Sequence, residues 1–163
     1  MPLSVDAAAI LQARRGREVG LSDWVTVTQE MVDRYADLTD DRQFLHVDPV
    51  AAARTPFDGT IAHGFLLIGL LARLGQDLEL GLPPLAMSVN YGFDKVRLVA
   101  PVRTGKRIRG RFILRQAVER GPGQWLVTIG TTVDIDGGTQ PALVADWLVL
   151  LVLQAAESTR ALA

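Results

Sequence analysis

The hydrophobic positions of this chain change period once, near residue 85, with helical spacing before it and strand alternation after it. Ser4 stands where it can cap a short helix over Val5 to Arg15, which Gly16 ends, and Gly20-Leu21-Ser22 then turns the chain into a brief strand, Trp24 to Val27. Thr28 is the next N-cap, with Glu30 in the first turn and Met31, Tyr35 and Leu38 recurring at i, i+4 and i+7. Residues 39–64 carry Pro49, Pro56, Gly59 and Gly64 and read as loop, with one helical turn near Val50 to Arg54. Phe65, Leu66, Leu67, Ile68, Leu70, Leu71 and Leu74 follow, apolar on nearly every side, so the pattern predicts a central helix buried all round.

Beyond residue 85 the pattern predicts four strands: Met87 to Val99, Lys106 to Val118, Trp125 to Asp134 and Leu143 to Leu153. Arg103-Thr104-Gly105, Gly121-Pro122-Gly123 and Asp136-Gly137-Gly138 are turn chemistry and predict tight connections between consecutive antiparallel strands. Arg107, Arg109 and Arg111 alternate with Ile108, Gly110 and Phe112, which gives the second strand one wet and one core face. Segregated helices and strands define an α+β class, with an antiparallel sheet curled around the long helix. The last strand is apolar on both faces, more than one core can cover, so a subunit interface is expected there.

Composition narrows the functional classes. The 163 residues suit one domain, taken as 1–163, and hold 17 basic and 18 acidic side chains. That balance leaves no basic excess for nucleic acid. There is no cysteine, which excludes disulfides, thiolate metal sites and cysteine nucleophiles and suits a reducing compartment. The apolar stretches Ile61 to Leu74 and Ala142 to Leu153 fall short of the roughly 18 to 20 residues of a membrane span, so no membrane partner is expected. Asp6 precedes the short apolar run Ala7 to Ile10 and Arg14 and Arg15 follow it, the reverse of a secretory signal, and a cytoplasmic location is expected.

Both histidines lie between Tyr35 and Gly64, the window that also holds most of the irregular backbone. Its first part runs Tyr35-Ala36-Asp37-Leu38-Thr39-Asp40-Asp41-Arg42-Gln43-Phe44-Leu45-His46-Val47-Asp48-Pro49, and Ile61-Ala62-His63-Gly64 follows after a gap. On residue type alone, Asp41 fits a turn or helix end and His46 a half-buried packing histidine. Gly64 fits a loop-to-helix junction, His63 a packing residue at the start of the helix, and Asp40 and Asp48 capping or turn positions.

The same window resembles the MaoC-like, R-specific enoyl-CoA hydratases of hot-dog fold. Their motif runs aromatic, small, Ser/Thr, Gly, Asp, any, Asn, Pro, aliphatic, His. Laid on it, Asp41 takes the place of the catalytic aspartate and His46 that of the catalytic histidine, with the spacing kept. The chain departs from the motif at three positions: Asp40 for Gly, Gln43 for Asn and Phe44 for Pro. A nodulation-protein-N-like branch tolerates Gln followed by an aromatic. Trp24-Val25-Thr26-Val27-Thr28 and Asn90-Tyr91-Gly92-Phe93-Asp94-Lys95-Val96-Arg97 are similar to that branch, so the likeness spans about Ser22 to Pro101.

The resemblance implies hydration of a trans-2-enoyl thioester to a (3R)-3-hydroxyacyl thioester by an Asp/His dyad. It also implies a homodimer with the site across its interface. The residue types suit the reaction. Adding water across an enoyl thioester needs a base for the water, a proton for the α-carbon and donors for the carbonyl oxyanion. An imidazole exchanges protons near neutral pH and a carboxylate can hold the same water. Gly64, at the start of the long helix, offers a first-turn N–H with no side chain in the way of a thioester carbonyl.

Lys95, Arg97, Arg103, Lys106, Arg107, Arg109 and Arg111 include no acid among them. They read either as the solvated face of two strands or as contacts to a coenzyme A carrier's phosphates, for which Lys95 and Arg97 are the candidates. Two histidines and scattered carboxylates show no metal-ligand spacing, and no phosphate or dinucleotide loop is present, so no cofactor is expected beyond an acyl-CoA or acyl-carrier-protein substrate. Two other functions fit the same fold: a thioesterase whose carboxylate activates water against the thioester carbonyl, and a non-catalytic acyl-thioester-binding protein.

Overall fold

The computed structural model describes residues 6–154. In chain order the elements are α1 (Ala7–Arg14), β1 (Glu18–Leu21), β2 (Val25–Thr26), α2 (Gln29–Thr39), α3 (Phe44–Val47), α4 (Pro49–Ala52), α5 (Gly64–Leu74), β3 (Leu85–Leu98), β4 (Arg107–Gly121), β5 (Gln124–Ile135) and β6 (Leu143–Leu153). Asp6, whose carboxylate accepts from the Ala9 amide at 3.1 Å, caps α1; the expected cap, Ser4, lies outside the described residues. Gly20 and Leu21, expected to turn, lie in β1, because the chain pairs there with Phe112 and Arg111 of β4. Thr28 caps α2 through a 3.2 Å bond from the Met31 amide. The buried stripe of α2 is Val32 and Ala36, one residue round from the expected one, and Leu38 is left 83% exposed.

The strands form one antiparallel sheet in the order β1-β4-β5-β6-β3, with β2 also paired to β4. Gly121-Pro122-Gly123 and Asp136-Gly137-Gly138 join true hairpins, with Gly123 and Gly137 at φ 69° and 70°, a conformation that glycine takes without steric cost. Arg103-Thr104-Gly105 does not. It lies on the crossing from β3, at one edge of the sheet, to β4, on the far side of β5 and β6, because β3 pairs with β6 from Leu85↔Leu153 to Leu98↔Leu143. The turn chemistry reports a local reversal only. The segment leading into α5 lies beside it, through Ala62 N–H to the Val102 carbonyl at 2.8 Å and Thr104 N–H to the Thr60 carbonyl at 3.0 Å.

α5 lies on the concave face of this sheet. Leu67, Leu70, Leu71 and Leu74 are buried with Ile108, Phe112, Leu114, Ile129, Val149 and Trp147. Gly110 lets the helix come close, since a Cβ there would stand 3.0 Å from that of Leu74 and 2.6 Å from the Phe112 ring. The helix is not buried all round. Gly69 and Ala72 are exposed and Phe65 is 74% exposed, because one sheet covers one side of a cylinder. Met87, Val89, Tyr91 and Leu98 of the edge strand β3 are exposed as well.

The outer face of the sheet takes up the arginines of β4. Arg107 meets Asp136 at 2.6 Å, Arg111 meets Glu18 at 2.5 Å, Arg115 meets Asp146 at 3.1 Å, and the Arg109 guanidinium lies 4.5 Å from the Trp24 ring centre. These half-exposed pairs contribute at most about 1 kcal/mol each, which is the behaviour of a solvated face. Among the described residues no helix is long and apolar enough to cross a membrane.

Candidate active site

The site forms where α2 ends and α5 begins. Asp40 terminates α2 in the left-handed region, φ 61° and ψ 15°, and so reverses the chain ahead of Asp41. The motif has glycine at this position, and aspartate is among the few other residues that tolerate this conformation. Arg42 braces the reversal with ion pairs to Asp37 at 2.6 Å and Asp40 at 3.5 Å. The other two departures fall at the start of α3, a helix the loop reading did not anticipate. Gln43 is its N-cap residue, without a side-chain cap bond, and Phe44 is its first helical residue, the position that favours proline by preset φ and accepts other residues. Asp48 caps α4 as expected, accepting from Val50 and Ala51 at 3.0 and 2.9 Å.

α3 carries His46 inward, to 8% exposure. Its Nδ1 lies 2.7 Å from the Ile61 carbonyl. A carbonyl only accepts, so Nδ1 carries the proton and Nε2 keeps a free lone pair. The backbone of His46 is tied as well. Gln29 donates from Nε2 to the His46 carbonyl at 2.7 Å, its Oε1 accepts from Thr60 Oγ1 at 2.6 Å, and Thr60 shares a 2.7 Å bond with Thr104. This chain of bonds links α2, α3, the segment before α5 and the β3–β4 crossing.

Asp41 is exposed, and its carboxylate has no partner among the described residues. One donor atom each from Asp41, His46 and His63 lies within 4.8 Å of the others. His63 is 2% exposed and immediately precedes α5. Its Nε2 lies 2.9 Å from the Asp41 carbonyl, and its ring stacks on that of His46 with centres 3.7 Å apart and planes 26° apart. It packs at the start of the helix, as expected, but it also touches both candidate catalytic residues. Gly64 follows it as the first residue of α5, with an N–H that makes no backbone bond among the described residues. A Cβ on Gly64 would overlap the Leu98 side chain, so close packing against β3 also favours glycine there.

The structure therefore brings together Asp41, His46 and the start of α5. Lys95 and Arg97 lie elsewhere. They are exposed and pair in register with Asp146 and Val144, the residues of β6 that alternate with buried Ala145 and Trp147, so they are on the outer face. Neither makes an ion pair among the described residues. Gln29 and Thr60 went unrecognised in the sequence, where nothing marks two polar residues so far apart as partners.

A ring nitrogen of His46 and an oxygen of Asp41 lie within 4.8 Å of each other, and an acceptor nitrogen and a carboxylate oxygen at about such a separation can each accept one hydrogen of a single water at ordinary hydrogen-bond lengths. Such a pair can hold a water and draw a proton from it. The same three residues suit a metal ion poorly: lone pairs in the planes of two stacked rings, 26° apart, do not converge on one point.

An antiparallel sheet wrapped on a central helix, with titratable groups at the helix start, is the hot-dog fold as acyl-thioester dehydratases use it. Residues 11–134 match the family described as MaoC like domain, and the chain belongs to that family. It is 44% identical over 147 residues to nodulation protein N of Rhizobium leguminosarum bv. viciae, covering 88% of this chain and 89% of the relative. It is likewise 44% identical over 147 residues to the 3-hydroxyacyl-thioester dehydratase Z of Mycobacterium tuberculosis strain CDC 1551 / Oshkosh, covering 90% and 97%. Among solved structures, the (R)-hydratase of A. caviae involved in PHA biosynthesis superposes with a TM-score of 0.68 at 26% identity, covering 86% of this chain and 96% of the hydratase.

Proposed function

We propose that this protein catalyses the reversible, R-specific hydration of trans-2-enoyl-CoA, or the matching acyl-carrier-protein thioester, to the (3R)-3-hydroxyacyl thioester. The observation that carries the reading is the approach of the Asp41 carboxylate to the two histidines, with His46 held as the tautomer that leaves Nε2 free. Asp41 and His46 accept the two hydrogens of one water. As its oxygen bonds to C3, His46 takes a proton, and the carbonyl oxygen, now an enolate, accepts from the Gly64 N–H at the positive end of α5. His46 returns the proton to C2 on the same face, so the net change is addition of one water. Dehydration runs the same steps backward.

The acyl chain runs between α5 and the sheet. A cavity of about 360 Å³ near the C-terminal end of α5, lined by Ala72, Gly75, Leu85, Ile129, Trp147 and Leu151, supports this. The exposed apolar flanks of α5 and β3 support a homodimer that completes the site. Lys95 and Arg97, exposed and without ion pairs among the described residues, are the proposed contacts to the carrier's phosphates. The whole chain acts as one domain in the cytoplasm, a setting that a sequence without cysteine suits.

Incubation with crotonyl-CoA and longer trans-2-enoyl-CoA thioesters tests this, following enoyl absorbance and free thiol together. Loss of absorbance without thiol, slowed by at least about 100-fold in Asp41→Asn, is the expected result. Thiol release would make the protein a thioesterase. No turnover, with acyl-CoA still raising the melting temperature, would make it a binding protein.

A further inference from the structure

His63 is the one buried titratable side chain at the site to which this mechanism gives no task. It sits at the N-cap of α5, a position where Ser, Thr, Asp or Asn usually accepts from the first-turn amides. His63 makes no such bond. Its side chain reaches the Asp41 carbonyl in the α2–α3 loop instead. Because the Asp41 carbonyl can only accept, His63 Nε2 carries its proton, and Nδ1 is left buried without a partner. A phenylalanine would fill much the same space with no unpaired nitrogen. What the imidazole adds there is one N–H on the peptide of Asp41.

Its ring has a second contact. Its centre is 4.9 Å from that of Tyr35 and 3.7 Å from that of His46, on which it stacks, so it bears on one face of the candidate base. Two short links thus meet in one side chain: a hydrogen bond to the residue that carries the carboxylate, and a stack on the imidazole. We propose that His63 is a positioning residue that sets the separation and mutual orientation of Asp41 and His46. The kinetic part of this rests on the hydration reading; the geometric part does not.

The test separates donor from ring. His63→Phe keeps a ring and removes the donor, whereas His63→Gln keeps a donor and removes the ring. On crotonyl-CoA, His63→Phe is expected to lower kcat about 100-fold with KM within about twofold, the scale of a misplaced catalytic group. His63→Gln should recover part of the loss. In an Asp41→Asn background the same His63→Phe change should cost less than about threefold, because residues that act as a unit are not additive. The chain has two histidines, so ring signals are assignable by nitrogen-15 NMR, with His63 expected as the Nε2–H tautomer and His46 as Nδ1–H. The Asp41 and Arg42 amide signals should move in His63→Phe and return toward wild type in His63→Gln.

An unchanged kcat in His63→Phe, or an equal loss in both backgrounds, overturns the proposal. So do amide signals that stay in place. Should His63→Phe fail to fold, His63→Gln decides alone: amides near their wild-type positions with a partial loss of kcat support the role, and wild-type kcat overturns it. If the wild-type protein hydrates nothing, the hydration reading falls by itself, while tautomers and amide shifts still decide whether His63 holds Asp41.

Discussion

Strands β4 to β6 and residues 39–64 are held in place by different means. The strands share long backbone ladders over an apolar face, with Phe112, Ile129 and Val149 buried beneath α5. The loop region has two four-residue helices and relies on single bonds from side chains: Asp48 on α4, Gln29 on the His46 carbonyl, His63 on the Asp41 carbonyl. Ladders distribute strain over many residues, whereas single bonds concentrate position in a few. Substitutions in the sheet should therefore change stability first, and substitutions in the loop region should change rate first.

The sharpest contrast is between Asp41→Asn and Phe112→Ala. Asp41→Asn, at an exposed side chain, should lower kcat on enoyl-CoA by about 10²- to 10⁴-fold with little change in melting temperature. Phe112→Ala should cost about 3–5 kcal/mol in urea unfolding, with kcat of the folded fraction near wild type. An Asp41→Asn protein that melts well below wild type would blur the division.

Gln29→Ala lies between the two. It strips one donor from the His46 carbonyl and one acceptor from buried Thr60, so a loss of about 1–3 kcal/mol should accompany a drop in kcat. Parallel urea and kinetic measurements read both effects, and a stability loss with unchanged kcat would assign the network to folding alone. Asp40→Gly relieves a left-handed aspartate, gives up an exposed ion pair and loosens the unfolded chain, so a gain under about 1 kcal/mol is expected. Arg107→Ala, on the solvated face, should change stability by less than about 0.5 kcal/mol.

Much of this was legible along the chain. Alternation located β3 to β6 to within a few residues, since a sheet with one buried face writes its period into the sequence. The Thr28 cap and the glycine turns at 121–123 and 136–138 are local devices and could be read locally. The spacing of Asp41 and His46 was readable because both lie on one short excursion of chain. The departures at Asp40, Gln43 and Phe44 could be judged only once each had a backbone conformation: a left-handed residue, an N-cap and a first helical residue.

What the sequence by itself determined is therefore local: the elements, their caps, two of the turns, and two titratable groups within one turn-rich window. The tertiary structure decided what depends on partners distant along the chain. It paired β3 with β6 and not with β4, left one flank of α5 uncovered, and shifted the buried stripe of α2 by one residue. It also brought Gln29 to Thr60 and His63 to both Asp41 and His46. Residue order carries short-range preferences of single segments, whereas burial and hydrogen bonding at a site are settled by which segments share a volume.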